Sequence, residues 1–199
     1  MQPKQVYTHY KKKAYAGDSF KYCPCCRAEL TICTIDRRLR SVCSNCGFIH
    51  FKNPAPVVSL LVVRGDQVLL GKRAGDPGKG LWGTPSGYIE YEDDFLTTAI
   101  TEAKEETGLD VEIKSVLNIL SSFVSERFHF LVIYLLAEVV GGELAAGDDL
   151  QAVAWFPLSG PFPELAFVED AEILDAYAKS QFVELAVEPK FACTSARSE

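Results

Sequence analysis

Glu102, Glu105 and Glu106 stand three and four residues apart, a spacing that stacks side chains on one face of an α-helix. At about 100° per residue, Glu105 falls about 60° to one side of Glu102 and Glu106 about 40° to the other. Leu96, Ala99, Ile100 and Ala103 form an apolar face beside this stripe, and Lys104 projects to the far side. Nothing on the helix neutralises the three carboxylates. Such groups repel one another unless a cation joins them. Hard oxygen ligands with open coordination positions suit Mg²⁺ or Mn²⁺ bridging to phosphate oxygens. The competing reading is a solvated acidic helix face, which the charge pattern alone would also satisfy.

A second constellation lies near the N-terminus. Six of the seven cysteines fall within residues 23–46, and Cys23-Pro24-Cys25-Cys26 and Cys43-Ser44-Asn45-Cys46 are both C-x₂-C pairs. Sixteen residues separate them, the spacing of a zinc ribbon. Each pair offers two thiolates from one tight knuckle, and two knuckles complete a tetrahedral S₄ site for Zn²⁺. Cys23, Cys26, Cys43 and Cys46 are the expected ligands, and Cys25, Cys33 and Cys193 are spare. Four cysteines leave no open position, so the expected zinc is structural. Gly47 supplies the free φ that closes the second turn. The alternative, a disulfide framework, suits an exported chain better than one with an odd cysteine count.

These residues need elements to hold them. Asp93 or Asp94 can cap the glutamate helix, which runs to Thr107 and ends at Gly108. Leu30 to Val42 reads as a hairpin between the knuckles. Asn53-Pro54-Ala55-Pro56 reads as a linker, and Val57–Val63 and Gln67–Lys72 as strands turning at Gly65-Asp66. Residues 74–81 form a loop. Val111–Ser121, Phe128–Val140 and Ala152–Phe156 are further strands, with Gly141-Gly142 as a break. Glu169–Phe182 is a C-terminal helix, and residues 183–199 are an expected flexible tail.

With these elements in place, Gly87, five residues, Asp93, seven residues, and Thr101-Glu102-Ala103-Lys104-Glu105-Glu106-Thr107-Gly108-Leu109 resemble the box of the Nudix hydrolase family. Leu81-Trp82-Gly83-Thr84-Pro85-Ser86-Gly87-Tyr88-Ile89-Glu90 is similar to the family's approach to that box. The likeness covers about residues 54–182. Asp93 stands where the box has Glu, and Thr101 where it has an Arg that pairs with the glutamates. The resemblance implies an α+β Nudix fold, a mixed β-sheet between helices, here preceded by a small β zinc ribbon. It also implies that Glu102, Glu105 and Glu106 bind Mg²⁺ or Mn²⁺ and carry the catalysis. The general base would be a stripe glutamate or a loop acid among Glu126, Asp148 and Asp149. Of these, Asp149 sits shortly before Trp155-Phe156, where relatives place an extra metal-site acid. Phe48, Phe123 and Phe128 are candidates to stack on a base.

A ribbon ahead of such a domain resembles two groups. NADH pyrophosphatases, which also act on NAD-capped RNA, carry a proline-rich aromatic array after the box, where this chain has Ile119-Leu120-Ser121-Ser122-Phe123-Val124-Ser125. Pro85-Ser86-Gly87-Tyr88-Ile89-Glu90 is closer to the group that cleaves ADP-ribose, FAD and similar compounds. The expected reaction is hydrolysis of the diphosphate linkage in such a nucleotide derivative. The alternatives are the NADH/NAD-cap activity or a catalytically weak nucleotide- or RNA-binding module.

Composition sets the outer bounds. The 199 residues, 48% hydrophobic and 24% charged, suit one medium domain plus a small module. Residues 1–52 hold 10 Lys+Arg and 3 Asp+Glu; the remainder hold 10 and 24. This asymmetry divides the chain into 1–52 (N-terminal segment and ribbon), 53–182 (Nudix domain) and the tail 183–199. The basic part would attract a polyanion such as a nucleotide or RNA, or simply be a solvated surface. No run reaches the roughly 18 apolar residues of a membrane helix. Lys11, Lys12 and Lys13 are not followed by an apolar signal core. A cytoplasmic chain, a small-molecule nucleotide as partner, no membrane and a homodimer are the expectations.

Overall fold

The computed structural model describes residues 20–125, 128–147, 149–182 and 185–187. Two sheets divide them. The first has three antiparallel strands, β1 (Thr31–Ile35), β2 (Arg38–Val42) and β3 (Ile49–His50). β1 and β2 are the hairpin expected between the knuckles.

The second sheet is mixed. Its strands are β4 (Ala55–Arg64), β5 (Gln67–Arg73), β6 (Trp82–Gly83), β7 (Ser86–Tyr88), β8 (Leu109–Phe123), β9 (His129–Gly142), β10 (Leu150–Pro157) and β11 (Leu185–Ala186). The spatial order is β10-β5-β4-β9-β8-β11, with β6 on β5 and β7 on β4. Among the described strands β4 and β9 pair in parallel and the other strand pairs are antiparallel, while Trp82 of β6 makes an isolated parallel bridge to Leu165. The two helices are α1 (Phe95–Thr107) and α2 (Val168–Ala178).

Strand alternation sorts the apolar residues onto two faces. Val58, Leu60 and Val62 of β4 join Leu135 and Ala137 of β9 and the Leu96, Ala99 and Ala103 stripe of α1. Leu61 and Val63 join Leu120, Val132 and Leu136 and the Ile173 and Leu174 stripe of α2. β4 is buried on both sides, which is why it reads as an unbroken apolar run.

Several boundaries differ from the sequence expectation. Ala55 and Pro56 belong to β4, not to a linker, because they lie in register with Phe130 and Leu131 of β9. Gly141 and Gly142 do not break β9; they pair with Asp110 and Leu109. α2 begins at Val168 and ends at Ala178, well before Phe182. Within the expected tail, Leu185 and Ala186 pair with Val116 and Ser115 of β8. Residues 1–19, with Lys11 to Lys13, and most of the tail, with Cys193, lie outside the described residues.

Candidate active site

Asp94 caps α1. Its carboxylate accepts hydrogen bonds from the Leu96 N–H at 2.9 Å, the Thr97 N–H at 3.0 Å and the Thr97 hydroxyl at 2.7 Å. Gly108 ends the helix in the left-handed conformation, φ 73°. Lys104, on the far side as expected, bonds the Gly108 carbonyl and Asp110 and leaves the glutamate stripe uncompensated.

The strand before α1 fixes the stripe. Glu106 is buried and accepts the Ser86 N–H at 3.0 Å. Glu102 lies against Gly87 so closely that a Cβ there would stand 1.8 Å from its Oε1. Only glycine allows this approach. The chain after β9 closes on the other end of α1. The Ala145 N–H donates to the Thr107 carbonyl at 3.0 Å and the Gly147 N–H to the Glu106 carbonyl at 2.9 Å. This satisfies two helix-end carbonyls and delivers Asp149 to the stripe.

Glu102, Glu106 and Asp149 thereby line one cleft of about 390 Å³, together with Arg73, Tyr88 and Phe130. Burial pushes the Glu106 carboxyl up to about 8; the Ser86 N–H opposes this, Glu102 and Asp149 add to it, and Arg73 also opposes it. Glu102 is raised by burial, then by Glu105 and Asp149. Glu105 is exposed and does not line the cleft, though its charge reaches Glu102. Burial and mutual repulsion thus disfavour ionising Glu102 and Glu106 without a compensating charge.

The first turn of α2 also lines the cleft. Asp170, 2% exposed, accepts the Thr84 N–H at 3.2 Å, the Thr84 hydroxyl at 2.9 Å and the Tyr134 hydroxyl at 2.8 Å. Burial pushes it to about 6 despite these bonds, and burial next to Asp170 holds Tyr134 well above the usual phenol range. Glu169 accepts the Ser122 hydroxyl. This network ties α2 to the β6–β7 segment, two residues from the Ser86 N–H that holds Glu106. Arg73 donates to the Pro77 carbonyl at 2.8 Å and lies 5.2 Å from the Phe167 ring. None of Arg73, Tyr88, Phe130, Tyr134, Glu169 or Asp170 was singled out from sequence. Their separation along the chain hides them; Glu169-Asp170 opening an apolar helix was the one available signal.

The aromatic candidates scatter. Phe128 stacks 6.1 Å from Phe130, a cleft residue. Phe123 does not line the cleft. It is in register with His129, whose ring it stacks on at 3.8 Å, and that pair faces away from Ser122 and Phe130. Phe48 lies in the ribbon, stacked 6.5 Å from His50. Glu126 and Asp148 lie outside the described residues.

In the ribbon the two knuckles make the same bonds. Arg27 N–H donates to the Cys23 carbonyl and Gly47 N–H to the Cys43 carbonyl, both at 2.9 Å. Cys23 N–H donates to Ala28 and Cys43 N–H to Phe48, both at 2.8 Å. The ligand atoms of Cys23, Cys26, Cys43 and Cys46 all lie within 4.8 Å of one another, with Sγ pairs at 3.6 and 3.4 Å. Tetrahedral thiolates about 2.3 Å from zinc stand ~3.8 Å apart, so the set fits the ion. The Asn45 side chain draws Cys26 down to about 6. Against a lowering bond from the Phe48 backbone, hydrogen bonding from Cys26 and burial push Cys46 to about 12. All six described cysteines are free, and Cys25 and Cys33 are exposed.

The family model for the NUDIX domain matches residues 53–177. The chain is 36% identical over 126 residues to an ADP-ribose pyrophosphatase of Methanocaldococcus jannaschii, covering 63% of this chain and 74% of that protein. It is 30% identical over 124 residues to the NAD-capped RNA hydrolase NudC of Pseudomonas aeruginosa, covering 61% of this chain but only 43% of that protein. A NUDIX hydrolase from Nitrosomonas europaea superposes with a TM-score of 0.71 at 24% identity, over 81% of this chain and 92% of that one. An ADP-ribose pyrophosphatase from Streptococcus suis does so with a TM-score of 0.51 at 27% identity, over 63% and 92%. With Glu102, Glu106 and Asp149 lining one cleft and the family model matching residues 53–177, the chain belongs to the Nudix hydrolase family.

Proposed function

We propose that the chain hydrolyses the diphosphate linkage of a nucleoside diphosphate derivative such as ADP-ribose or FAD. The observation that carries this reading is the meeting of Glu102, Glu106 and Asp149 beside Arg73 in one cleft. Glu102, Glu106 and Asp149 would hold Mg²⁺ or Mn²⁺, with Glu105 at the rim of the stripe. When bound, the cation neutralises phosphate charge and acidifies a water. Arg73 offers a fixed positive charge to the same phosphates. A stripe glutamate, ionised once the cation is bound, or Asp149 would accept the proton of the attacking water. The Ser86 N–H would hold buried Glu106, and close packing on Gly87 would position half-buried Glu102.

The ribbon cysteines would hold one structural Zn²⁺. The assembly proposed is a cytoplasmic homodimer, testable by light scattering; no helix among the described residues is long and apolar enough to cross a membrane. The deciding experiment compares Mg²⁺-dependent kcat/KM for ADP-ribose, FAD and NADH. ADP-ribose or FAD should lead. A clear preference for NADH would transfer the chain to the NAD-cap reading, and no turnover on any of the three would leave a binding module.

A further inference from the structure

Glu106 takes its hydrogen bond from the Ser86 N–H at 3.0 Å. A backbone donor is only as well aimed as the backbone that carries it, so whatever holds Ser86 also holds the carboxylate. On one side β4 does this. Ser86 pairs with Ser59, and the Leu60 N–H donates to the Pro85 carbonyl at 2.8 Å. The ring of Pro85 fixes φ, which couples Thr84 stiffly to Ser86.

On the other side the chain leading into α2 anchors the stretch before Ser86. The Trp82 N–H donates to the Glu164 carbonyl at 3.0 Å, and the Ala166 N–H to the Trp82 carbonyl at 2.7 Å. At Thr84 a side chain takes over. Asp170 accepts both the N–H and the hydroxyl of Thr84, at 3.2 and 2.9 Å. Gly83 leaves room for this, since a Cβ there would stand 3.0 Å from Asp170 Oδ2. The Thr84 hydroxyl proton points to Asp170, so the Ser59 hydroxyl, 2.6 Å away, donates to the Thr84 oxygen. Tyr134 brings Asp170 a third donor at 2.8 Å. An ionised carboxylate offers acceptors only, and these three donors all lie outside α2. A carboxylate kept only to anchor a helix could use any donor on the sheet. Here two of the three bonds go to one residue, two positions from the donor that Glu106 uses.

We propose that Asp170 is a positioning residue for the cation site: by clamping Thr84 it fixes the Thr84-Pro85-Ser86 segment and so aims the Ser86 N–H at Glu106. The proposal rests on the reading of Glu102, Glu106 and Asp149 as a divalent-cation site and adds the device that holds it. Asp170 has no contact with the cation in this scheme; its effect passes through Thr84 and Ser86. Outer partners of this kind change metal affinity about tenfold to a hundredfold.

The probe is Mn²⁺ alone, titrated into the full-length protein and followed by the loss of its free electron paramagnetic resonance signal. Glu106→Gln should weaken binding and so place the probe at the stripe. Asp170→Ala frees Thr84 and should weaken Mn²⁺ about tenfold or more. Asp170→Asn keeps the shape and an acceptor for the Thr84 N–H, and should stay within about threefold of wild type. Thr84→Val loses the hydroxyl and should weaken Mn²⁺ about threefold to tenfold; Thr84→Ser keeps it and should match wild type. Thermal melting identifies the folded variants, and if Asp170→Ala does not fold, the Thr84 pair carries the test. In kinetics on ADP-ribose, Asp170→Ala should need more Mg²⁺ for half-maximal rate. Its KM for ADP-ribose at saturating Mg²⁺ should stay within about twofold. A purely structural Asp170 would lower the melting temperature and leave the Mn²⁺ affinity of the folded protein unchanged. That result, equal losses in Asp170→Asn and Asp170→Ala, or a wild-type protein that binds no Mn²⁺ at the stripe would each overturn the proposal. Wild-type turnover of ADP-ribose, measured in parallel, reports on the parent reading. Turnover with no effect of Asp170→Ala on Mn²⁺ rejects the clamp and keeps the hydrolase; an effect on Mn²⁺ without turnover keeps the clamp and rejects the hydrolase.

Discussion

At the scale of single residues, Glu106 has the most informative environment. Its carboxyl lies near 8 in the fold against a usual 4.5, mainly because it is buried. A raised carboxyl favours the protonated form, so its contribution to stability is full below about 4.5 and is lost as pH rises through about 8. The metal-free melting temperature should therefore fall between about pH 4.5 and 8, and Glu106→Gln should flatten that fall. Binding a cation requires the ionised form. Calorimetry in buffers of different ionisation enthalpy should show proton release on Mg²⁺ binding at pH 7, and its absence would argue against Glu106 as a ligand. Glu106→Gln should lower kcat by about 10²-fold or more while keeping or raising stability, since one repulsive charge is removed. Glu105 gives a contrast because it is exposed. If Glu105→Gln loses as much turnover as Glu106→Gln, the metal engages the whole stripe.

At the scale of elements, α1 matters through its ends and its contacts. Asp94→Ala removes three bonds at the N-cap and should cost about 1 kcal/mol, read as a lower melting temperature. Gly87→Ala tests a contact between elements. Its Cβ would overlap the Glu102 carboxylate, so metal affinity and turnover should drop while the sheet stays folded, as judged by circular dichroism. Thr101 is exposed on the same helix. Thr101→Arg would return a cation to the position where the family box carries one, and should tighten apparent Mg²⁺ binding by pairing with the stripe. Looser Mg²⁺ binding in that variant would mean that the glutamates are already held by other contacts, with the Ser86 N–H and Gly87 the clearest candidates.

At the scale of the whole molecule, no ribbon residue lines the cleft among the described residues. Replacing Cys43 by Ala should release zinc, measured by elemental analysis, and unfold the small sheet. Hydrolysis of ADP-ribose should stay within a few-fold; loss of all turnover would make the ribbon part of the active unit. What could be read from sequence shares one property, short range. The knuckles, the stripe on α1, its cap and Gly108 stop, and the apolar run of β4 all depend on residues close to one another in the chain. The Nudix box was legible for the same reason. The rest required the sheet to form. Ala55-Pro56 looked like a linker because nothing local shows β9 in parallel register beside it, and Gly141-Gly142 looked like a break because Leu109 and Asp110, which pair with it, lie some thirty residues earlier. Asp170 could not be placed in the site from sequence, since its hydrogen-bond donors Thr84 and Tyr134 lie 86 and 36 residues away. Phe123 was a stacking candidate by residue type alone, and register puts it on the face opposite Phe130. Local spacing determined which groups this chain has for chemistry; only strand pairing decided which of them face one another, because that choice depends on contacts between segments distant in the chain.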